Sequence, residues 1–403
     1  MLELAFRNVF RHRVRTGITL AAIVFGVVGL ILSGGFIQDM FFRLGEVIIR
    51  SQTGHVQIAK AGFFAYGSRS PDKYVIGAPD EIRKAAAQWR GVADVLARVQ
   101  FSGLLNNGRT DLSIIGEGIE PSREAKLGVY QVITAGRRLA DEDRQGILVG
   151  QGVAEALKLA PGDPVTILVN TAEGAMNTLD FEVVGVFQSF SKDYDARAVK
   201  VPLAAAQELL AARGVNLLVV SLERTRDTAA VVAQARELAA SRGLDVKAWS
   251  ELNDFYGKTV ELYDRQFGVL RLIILAMVLL SVVNSVNMSL FERVGEFGTM
   301  RAVGDRGRKI FLLVMTEGAI LGLLGAAVGV LLGIAVAIAI SVVGIPMPPP
   351  PNANLGYTAA IRLVPSVIAG AFLTGCIATL LASILPAWRV SRIPVVEALR
   401  QNV

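Results

Sequence analysis

The sequence predicts a membrane protein with four transmembrane helices and a large extracytoplasmic α+β domain between helices 1 and 2. Three observations lead to this fold class. The 403 residues are 52% hydrophobic and 19% charged, with a mean hydropathy of +0.48, which is too apolar for an ordinary soluble chain. The charged residues crowd into the middle of the chain. Four apolar segments nearer its two ends are each long enough to cross a bilayer.

The four predicted spans set the order of the other segments. A bilayer core requires about 20 mainly apolar residues in a helix, and the third span exceeds this length. Its glycine-rich centre, LGLLGAAVGVLLG, is typical of helices that pack closely together. In chain order we predict an amphipathic cytoplasmic helix (1–16), span 1 (17–39), a periplasmic domain with stalk helices (40–266), span 2 (267–290), a cytoplasmic coupling loop or helix (291–309), span 3 (310–343), a proline-rich periplasmic loop (344–363), span 4 (364–386) and a cytoplasmic tail (387–403).

Arginine and lysine indicate the orientation of these spans. They cluster in 1–16, 291–309 and 387–403, and the positive-inside rule therefore places these three segments in the cytoplasm. Segment 344–363 has Arg362 as its only strong base and is expected to face outward, together with the large domain. The first span is longer than the apolar region of a signal peptide and has no convincing cleavage site, which indicates a retained anchor.

Residues 50–250 have the pattern of an α+β domain. Short runs bounded by turn residues predict strands at VQIAK, LSIIGEGI, GILVG, PVTILVN, FEVVGVF and NLLVVSL, and helical patterns occur at PDEIRKAAAQWRG and DTAAVVAQARELAASRG. At both borders of the domain the helical pattern continues from the adjacent span without a breaker. A paired stalk that carries motion and a plain membrane-anchored linker both fit this pattern.

The sequence has few of the residues that metal sites, disulfides and catalytic triads require. It contains two histidines and one cysteine, Cys376, so an internal disulfide is impossible and a histidine-based metal site or hydrolytic triad is not expected. No GxxxxGK[ST] phosphate loop is present. Despite a net charge of +6, the arginines flank apolar runs, and nucleic-acid binding is not expected. We therefore expect a protein that is not an enzyme and holds no cofactor of its own.

The segment FERVGEFGTMRAVGDRGRKIFLLVMTEG resembles the FtsX-like and MacB-like permeases of ABC exporters, whose motif there is approximately E-R-x-x-E-I-G-x-x-R-A-x-G. Phe297 stands where isoleucine is usual. The opening AFRNVFRHRVRTGITLAAIVFGV and the ending PAWRVSRIPVVEALR are similar to the same family. Within it, GGFIQDM, GHVQI, ARVQFSGLLNNGRTDLSIIGEGIEP, ILVGQGVAEALKLAPGDPVTILV and VPLAAAQELL resemble the lipoprotein-releasing, Lol-type branch. NTAEGAMNTLD, at 170–180, is shorter than the Pro-containing hook of some Lol-type subunits, so chaperone recruitment there is not expected.

The resemblance implies a type VII ABC exporter subunit in the bacterial inner membrane, with both termini in the cytoplasm. Its implied partners are an ABC ATPase that holds ATP and Mg, a second permease copy or a sibling permease, membrane lipids and a periplasmic lipoprotein carrier. The implied function is export of lipoprotein or another lipid-like substrate by mechanotransmission. MacB-like export of small molecules or peptides, and FtsX-like signalling to a cell-wall hydrolase, remain alternatives.

The resemblance also implies residues that couple the chain to the ATPase. An apolar ridge of Phe297, Met300 and Val303 would fill a groove on the ATPase, while Glu292, Glu296 and Arg301 fix the register. The alternative is a solvated, positively charged loop. The full set of expected coupling residues is Glu292, Arg293, Glu296, Phe297, Gly298, Met300, Arg301 and Gly304.

Other candidate residues lie in or near the spans. Phe36, Met40, Phe41 and Phe267 are expected to line the outer opening, with simple helix packing as the alternative. For Arg271 and Glu317 a structural role is favoured over a proton relay, because a charge within a bilayer is costly. Asn284 and Asn287 are expected to form hydrogen bonds between helices.

Overall fold

A computed structural model describes residues 2–11, 13–67, 71–127, 131–171, 174–212, 214–348 and 356–400. The chain forms two compact units. Unit 1 comprises Met1–Phe41, Thr259–Pro346 and Thr358–Val403, and unit 2 comprises Phe42–Lys258 and Met347–Tyr357. Part of the proline-rich loop and part of the segment 170–180 lie outside the described residues.

The helices and strands are numbered in chain order. The helices are α1 (Leu2–Arg11), α2 (Arg13–Ile48), α3 (Phe63–Tyr66), α4 (Pro79–Ala87), α5 (Pro121–Leu127), α6 (Gln151–Leu157), α7 (Lys192–Asp195), α8 (Leu203–Leu209), α9 (Thr228–Ala240), α10 (Trp249–Leu252), α11 (Asp254–Glu292), α12 (Val294–Ala302), α13 (Gly307–Val343), α14 (Pro365–Ser391) and α15 (Val395–Arg400). The strands are β1 (Val56–Lys60), β2 (Val92–Asn106), β3 (Asp111–Ile119), β4 (Val132–Gly136), β5 (Gly146–Gly150), β6 (Pro164–Asn170), β7 (Met176–Gln188), β8 (Ala198–Pro202), β9 (Leu217–Leu222), β10 (Leu244–Ala248), β11 (Ile345–Met347) and β12 (Tyr357–Ala359).

Four helices, α2, α11, α13 and α14, are long and apolar enough to cross a membrane, which confirms the predicted fold class. Each contains one of the predicted spans almost completely. Both α2 and α11 continue past their spans on the side of the outer domain, to Ile48 and from Asp254 respectively. Both α2 and α11 are therefore uninterrupted helices across the border between span and outer domain, where the sequence contains no helix breaker.

Glycines on α13 allow its neighbours to approach closely, as the glycine-rich centre predicted. A Cβ atom placed at Gly325, Gly329 or Gly333 would lie 2.8 to 2.9 Å from a side chain of α2. These glycines are four residues apart and therefore share one face of the helix. Gly318 and Gly322 face α14 in the same way, through contacts with Ser383 and Thr379. Small residues thus fix α13 between two other spans.

Unit 2 is built on a mixed ten-stranded sheet with the order β10-β1-β9-β2-β3-β8-β5-β7-β4, in which β6 pairs with β2 and β7. The pairs β3–β8 and β5–β7 are parallel. Alternation of burial follows the pleat, and in β6 Val165, Ile167 and Val169 point into the core. All six strands expected from the sequence are present. The sequence prediction did not include β2, β4, β8 and β10.

A group of charged side chains is buried in unit 2. Arg98 donates to Glu124 at 2.7 and 3.1 Å, and Lys200 donates to the same carboxylate at 3.0 Å. Glu117 lies 3.8 Å from Lys200 and 4.0 Å from Arg98. Burial alone would raise the pKa of Glu124, but the two cations outweigh it and lower that pKa to about 2. We refer to Arg98, Glu117, Glu124 and Lys200 as the buried quartet.

The end of α2 is joined to the sheet of unit 2 by polar contacts. A π-helical turn, Ile49–Thr53, follows α2, and Arg98 donates to the carbonyl of Gln52 in that turn. His55 accepts a hydrogen bond from the Leu222 amide at 3.0 Å through Nδ1, while its Nε2 lies 3.2 Å from the Thr225 hydroxyl. Burial lowers the pKa of His55 to about 4, so this imidazole is neutral near pH 7.

Candidate functional site

The predicted coupling segment forms a short helix, α12, between α11 and α13. One face of α12 is buried through Val294, Gly295, Phe297 and Gly298. The helix ends before Gly304, whose φ of +110° suits a residue without a Cβ atom. The Gly304 amide donates to the carbonyl of Arg301, and this closes the last turn. The segment is therefore a defined helix rather than an open loop.

Arg293 is the centre of an ion-pair network at the start of α12. It is 5% exposed and donates to both oxygens of Glu317 on α13, at 2.9 and 3.1 Å. It also contacts Glu296 at 3.1 Å. Burial alone would lower the pKa of Arg293, but Glu317 and Glu296 outweigh this effect and raise it. Arg293 therefore remains charged while it joins α12 to α13.

The N-terminal helix α1 joins the same network. Asn8 donates to Glu317 at 2.8 Å, and Arg11 donates to Glu296 at 2.7 Å. Burial alone would raise the pKa of Glu296, whereas Arg293 and Arg11 lower it and keep the carboxyl ionised. We call Asn8, Arg11, Arg293, Glu296 and Glu317 the α12 network. Glu317 is thus a structural partner of Arg293, which agrees with the role favoured from the sequence.

Two expected members of the coupling surface are engaged within the chain. Phe297 is 3% exposed, lies in the core of unit 1 and has the Arg293 guanidinium 5.2 Å from its ring centre. It cannot form part of an exposed apolar ridge, and that expectation is corrected. Arg301 donates to the carbonyl of Ile393 at 2.7 Å and so fastens the segment before α15. Helical periodicity alone did not reveal which apolar side chains faced inward.

The opposite face of α12 is open. Glu296, Thr299, Met300, Val303 and Asp305 line a groove of about 430 Å³. Val303 is 85% exposed at its edge. The groove combines two carboxylates with two apolar side chains, a composition suited to a partner surface that carries both basic and apolar groups. Glu292 is exposed at the end of α11, and Gly298 lies on the buried face of α12.

The four side chains expected at the outer opening are only partly brought together. Phe41 is 7% exposed and packs edge-on against Tyr263, with ring centres 6.2 Å apart. Tyr263 in turn stacks on Phe267 at 6.4 Å. Phe36 and Met40 are half-buried. Phe41 therefore takes part in the packing of α2 against α11, and the aromatic residue that the sequence prediction missed is Tyr263, four residues before Phe267 on the same helix face.

The polar residues of the second span differ in their surroundings. Arg271 is exposed near the outer end of the predicted span, and Asn287 is half-buried. Asn284 is exposed on the surface of the chain. Among the described residues it does not form the expected hydrogen bond to another helix of this chain. A hydrogen bond between α2 and α11 is instead formed by the hydroxyls of Thr19 and Ser285.

Comparisons with known proteins identify both halves of the chain. Residues 16–238 match the model of a MacB-like periplasmic core domain, and residues 268–395 match an FtsX-like permease C-terminal region. The lipoprotein-releasing system transmembrane protein LolC of Neisseria meningitidis is 23% identical over 79% of this chain and 76% of its own length. The macrolide export ATP-binding/permease protein MacB of Bdellovibrio bacteriovorus is 22% identical over 83% of this chain and 53% of its own length.

Among solved structures, the periplasmic region of MacB from Actinobacillus actinomycetemcomitans is similar to part of this chain. It is 14% identical with a TM-score of 0.37, and the match covers 53% of this chain and 95% of that structure.

Proposed function

Because the chain belongs to the family of ABC transporter permeases with a MacB-like periplasmic core domain and an FtsX-like C-terminal region, we propose that it drives release of lipoprotein or a similar lipid-like substrate from the inner membrane. In this proposal ATP and Mg are bound by a separate ATPase subunit. The substrate class is supported by the relatives named as lipoprotein-releasing proteins. Segments 1–16, 291–309 and 387–403 lie in the cytoplasm, and unit 2 faces the periplasm.

The observation that carries this proposal is the two-sided geometry of α12. Its outer face presents the groove that includes Val303, and the helix is joined to α13 by Arg293 and Glu317 and to α1 by Arg11 and Glu296. A partner that binds the groove therefore contacts a helix that is linked by ion pairs to both α1 and α13. Glu292, Met300 and Gly304 belong to the exposed or half-exposed side, whereas Arg293, Phe297, Gly298 and Arg301 support α12 from within.

Motion of α12 then has a continuous route through this chain. The α12 network transfers a displacement of α12 to α13, and the close glycine contacts pass it from α13 to α2 and α14. Because α2 is one helix from Arg13 to Ile48, it carries the displacement along its length. Outer residues such as Phe36, Met40 and Phe267 lie near the end of that route and offer apolar surface to acyl chains. A second permease copy or sibling completes the pathway, and a periplasmic carrier accepts the lipoprotein.

The test uses the full chain, co-expressed with its ATPase and reconstituted in proteoliposomes that contain a lipid-modified protein. Val303→Glu places a charge in the groove and is expected to abolish ATP-dependent release while membrane insertion is unchanged. Val14→Glu is the matched control, because Val14 is 79% exposed near the same predicted membrane side. Release by the Val303 variant at the wild-type rate would contradict the assignment of the groove as the ATPase contact.

The same proteoliposomes distinguish the proposed function from the two alternatives known from the family. ATP-dependent movement of a peptide or small molecule, without release of the lipid-modified protein, would replace the proposal with MacB-like export. A bound cell-wall hydrolase with no transported substrate would replace it with FtsX-like signalling. In either case the response to Val303→Glu still reports on the groove.

A further inference from the structure

A short segment between α13 and α14 is bound to α2 through its backbone. We call residues 358–362 the strap. The Ala360 amide donates to the Asp39 carboxylate at 2.9 Å, and the Arg362 amide donates to the Gly35 carbonyl at 3.2 Å. Gly35 and Asp39 are four residues apart on α2, so they lie on one face of this helix. Both strap amides therefore find their acceptors on the same side of α2.

The strap is bound to α13 as well. The Ser341 hydroxyl accepts a hydrogen bond from the Ile361 amide at 2.9 Å and lies 3.2 Å from the Ile361 carbonyl oxygen. At the end of α13, a Cβ atom placed at Gly344 would lie 2.5 Å from the Thr358 side chain. Two spans thus bind three consecutive amides of the strap and satisfy backbone groups that lie close to the bilayer.

The side chains of the strap add a close steric fit to these hydrogen bonds. Ala359 is completely buried, and Ile361 is 7% exposed. A Cβ atom placed at Gly35 would lie 2.7 Å from the Arg362 carbonyl oxygen and 2.8 Å from the Ile361 side chain. Neither distance leaves room for a carbon atom, so only glycine lets the strap lie against α2 at this position.

The strap continues a line of contacts along α2. Ile23, Val27 and Ile31 pack against glycines of α13, and Gly35 and Asp39 follow at the same interval of four residues. Toward its outer end, this face of α2 therefore changes from large apolar side chains to a glycine and a carboxylate. Asp39 is 6% exposed. Because a buried carboxylate is costly unless it is hydrogen-bonded, its position indicates that the contact with the strap is specific.

We propose that the strap is a brace that makes the outer ends of α2 and α13 move as one body, with Gly35 and Asp39 as its positioning residues. Helices that touch through apolar side chains can slide past each other, whereas hydrogen bonds from one segment to both helices fix their relative position. This inference rests on the proposed function, in which a displacement of α13 must reach the outer part of α2. It identifies the residues that transmit the displacement there.

Distances between spin labels, measured by double electron–electron resonance, test the brace. The labels are placed at Gln38→Cys on α2 and Val342→Cys on α13, both exposed positions, in a Cys376→Ser background. The full chain is co-expressed with its ATPase, reconstituted in proteoliposomes and diluted with unlabelled chain, so that label pairs within one chain dominate. We expect one narrow distance distribution, the same without nucleotide and with ATP and orthovanadate. A shift or broadening with ATP in the wild type would overturn the proposal.

Gly35→Ala tests the steric fit, and Gly17→Ala is its matched control on the same helix. The added Cβ atom meets the strap at Gly35 but has no atom of another segment within 4 Å at Gly17. Gly35→Ala is expected to broaden the distance distribution and to lower the amount of lipid-modified protein released per ATP hydrolysed about fivefold, as for an overpacked contact. Gly17→Ala is expected to leave both quantities at their wild-type values.

Substitutions of Asp39 separate the hydrogen bond from the steric fit. Asp39→Asn keeps an oxygen that accepts from the Ala360 amide, and it is expected to retain the narrow distribution. Asp39→Leu removes this acceptor and is expected to behave like Gly35→Ala. Narrow distributions in both Gly35→Ala and Asp39→Leu would overturn the brace. Broad distributions with unchanged release per ATP would overturn its role in transmission.

The distance measurement does not depend on the cargo and therefore separates this inference from the proposed function. If the wild type hydrolyses ATP but releases no lipid-modified protein, the proposed function fails. The response of the distance between α2 and α13 to ATP and to Gly35→Ala then still decides whether the strap holds the two helices together.

Discussion

The two units bury their charged side chains in different ways. In unit 2 the buried quartet is enclosed on all sides, and each of its four side chains is at most 5% exposed. In unit 1 the α12 network is graded: Arg293 and Glu317 have side-chain exposures of 6% and 12%, whereas Arg11 and Glu296 reach 61% and 43%. One cluster is therefore sealed, and the other runs from the core of its unit to the surface.

This difference in exposure corresponds to a difference in the elements that each cluster connects. Arg98 is the last residue of β2 that pairs with β9, and Val99 is the first that pairs with β3. The buried quartet thus marks the point where the sheet changes partners. The α12 network joins three helices, α1, α12 and α13. A sealed cluster defines one arrangement of a sheet, whereas a cluster open to water permits its helices to shift while their charges stay solvated.

The largest effect in this comparison is expected from Glu124→Gln. The substitution leaves Arg98 and Lys200 short of negative charge in a dry environment, which costs about 3 to 5 kcal/mol in buried clusters. Chemical unfolding of the full chain in detergent, followed by the fluorescence of Trp89 and Trp249, measures this change. The control is Glu261→Gln, which removes an exposed pair with Arg265 and is expected to cost at most about 1 kcal/mol. Equal losses for the two variants would contradict the sealed character of the quartet.

A smaller effect is expected from His55 as the pH falls. Its pKa is near 4 in the folded chain and 6.5 in the unfolded reference, so the unfolded state binds more protons between these values. Stability is therefore complete above pH 6.5 and falls as the pH drops toward 4, by about 3 kcal/mol in total. The depressed pKa of Glu124 extends the loss from about pH 4.5 down to about 2.

Unfolding of unit 2 as a function of pH measures this dependence, and His55→Gln is the comparison variant. Glutamine keeps a carbonyl acceptor for the Leu222 amide but does not titrate. The variant is expected to show a flat profile between pH 6.5 and about 4.5, where the wild type declines, and to share with the wild type the loss that Glu124 causes at lower pH. A decline of the same size in both proteins would assign the pH dependence to other groups.

The smallest of the three effects is expected from Glu317→Gln in unit 1. Arg293 keeps Glu296 as a partner, and Glu296 is open to water, so the loss is about 2 kcal/mol, as for a hydrogen bond to a charged group. Hydrogen exchange of α12 amides in the full chain is expected to become faster, with no change in unit 2. If the double variant Arg293→Glu with Glu317→Arg restores the protection of the α12 amides, the ion pair is supported. If Glu317→Gln lowers the free energy of unfolding by more than Glu124→Gln does, the comparison between the two units is reversed.

Sequence reasoning succeeded where local composition decides the outcome. Long apolar segments of α2, α11, α13 and α14 must satisfy their backbone groups internally, so they form helices whatever surrounds them. Turn residues and alternation found six strands of unit 2. The FtsX-like motif indicated where α12 lies, and the glycines of α13 indicated close packing before any neighbour was known.

Other features depend on residues far apart in the chain. Strand β2 was missed because Asp94 and Arg98 interrupt its apolar pattern, and Arg98 is buried only because the carboxylates of Glu117 and Glu124 converge on it. The network of Asn8, Arg293 and Glu317 likewise joins three separate segments.

The sequence by itself determined that this chain has four spans, an α+β outer domain and an FtsX-like segment, because hydropathy and turn chemistry act over a few neighbouring residues. Only the tertiary structure decided which side of each helix is covered. Phe297 faces inward and Val303 outward on α12, and Asn284 faces away from its own chain on α11. Helical periodicity defines such faces, but the packing of distant segments selects the one that is buried.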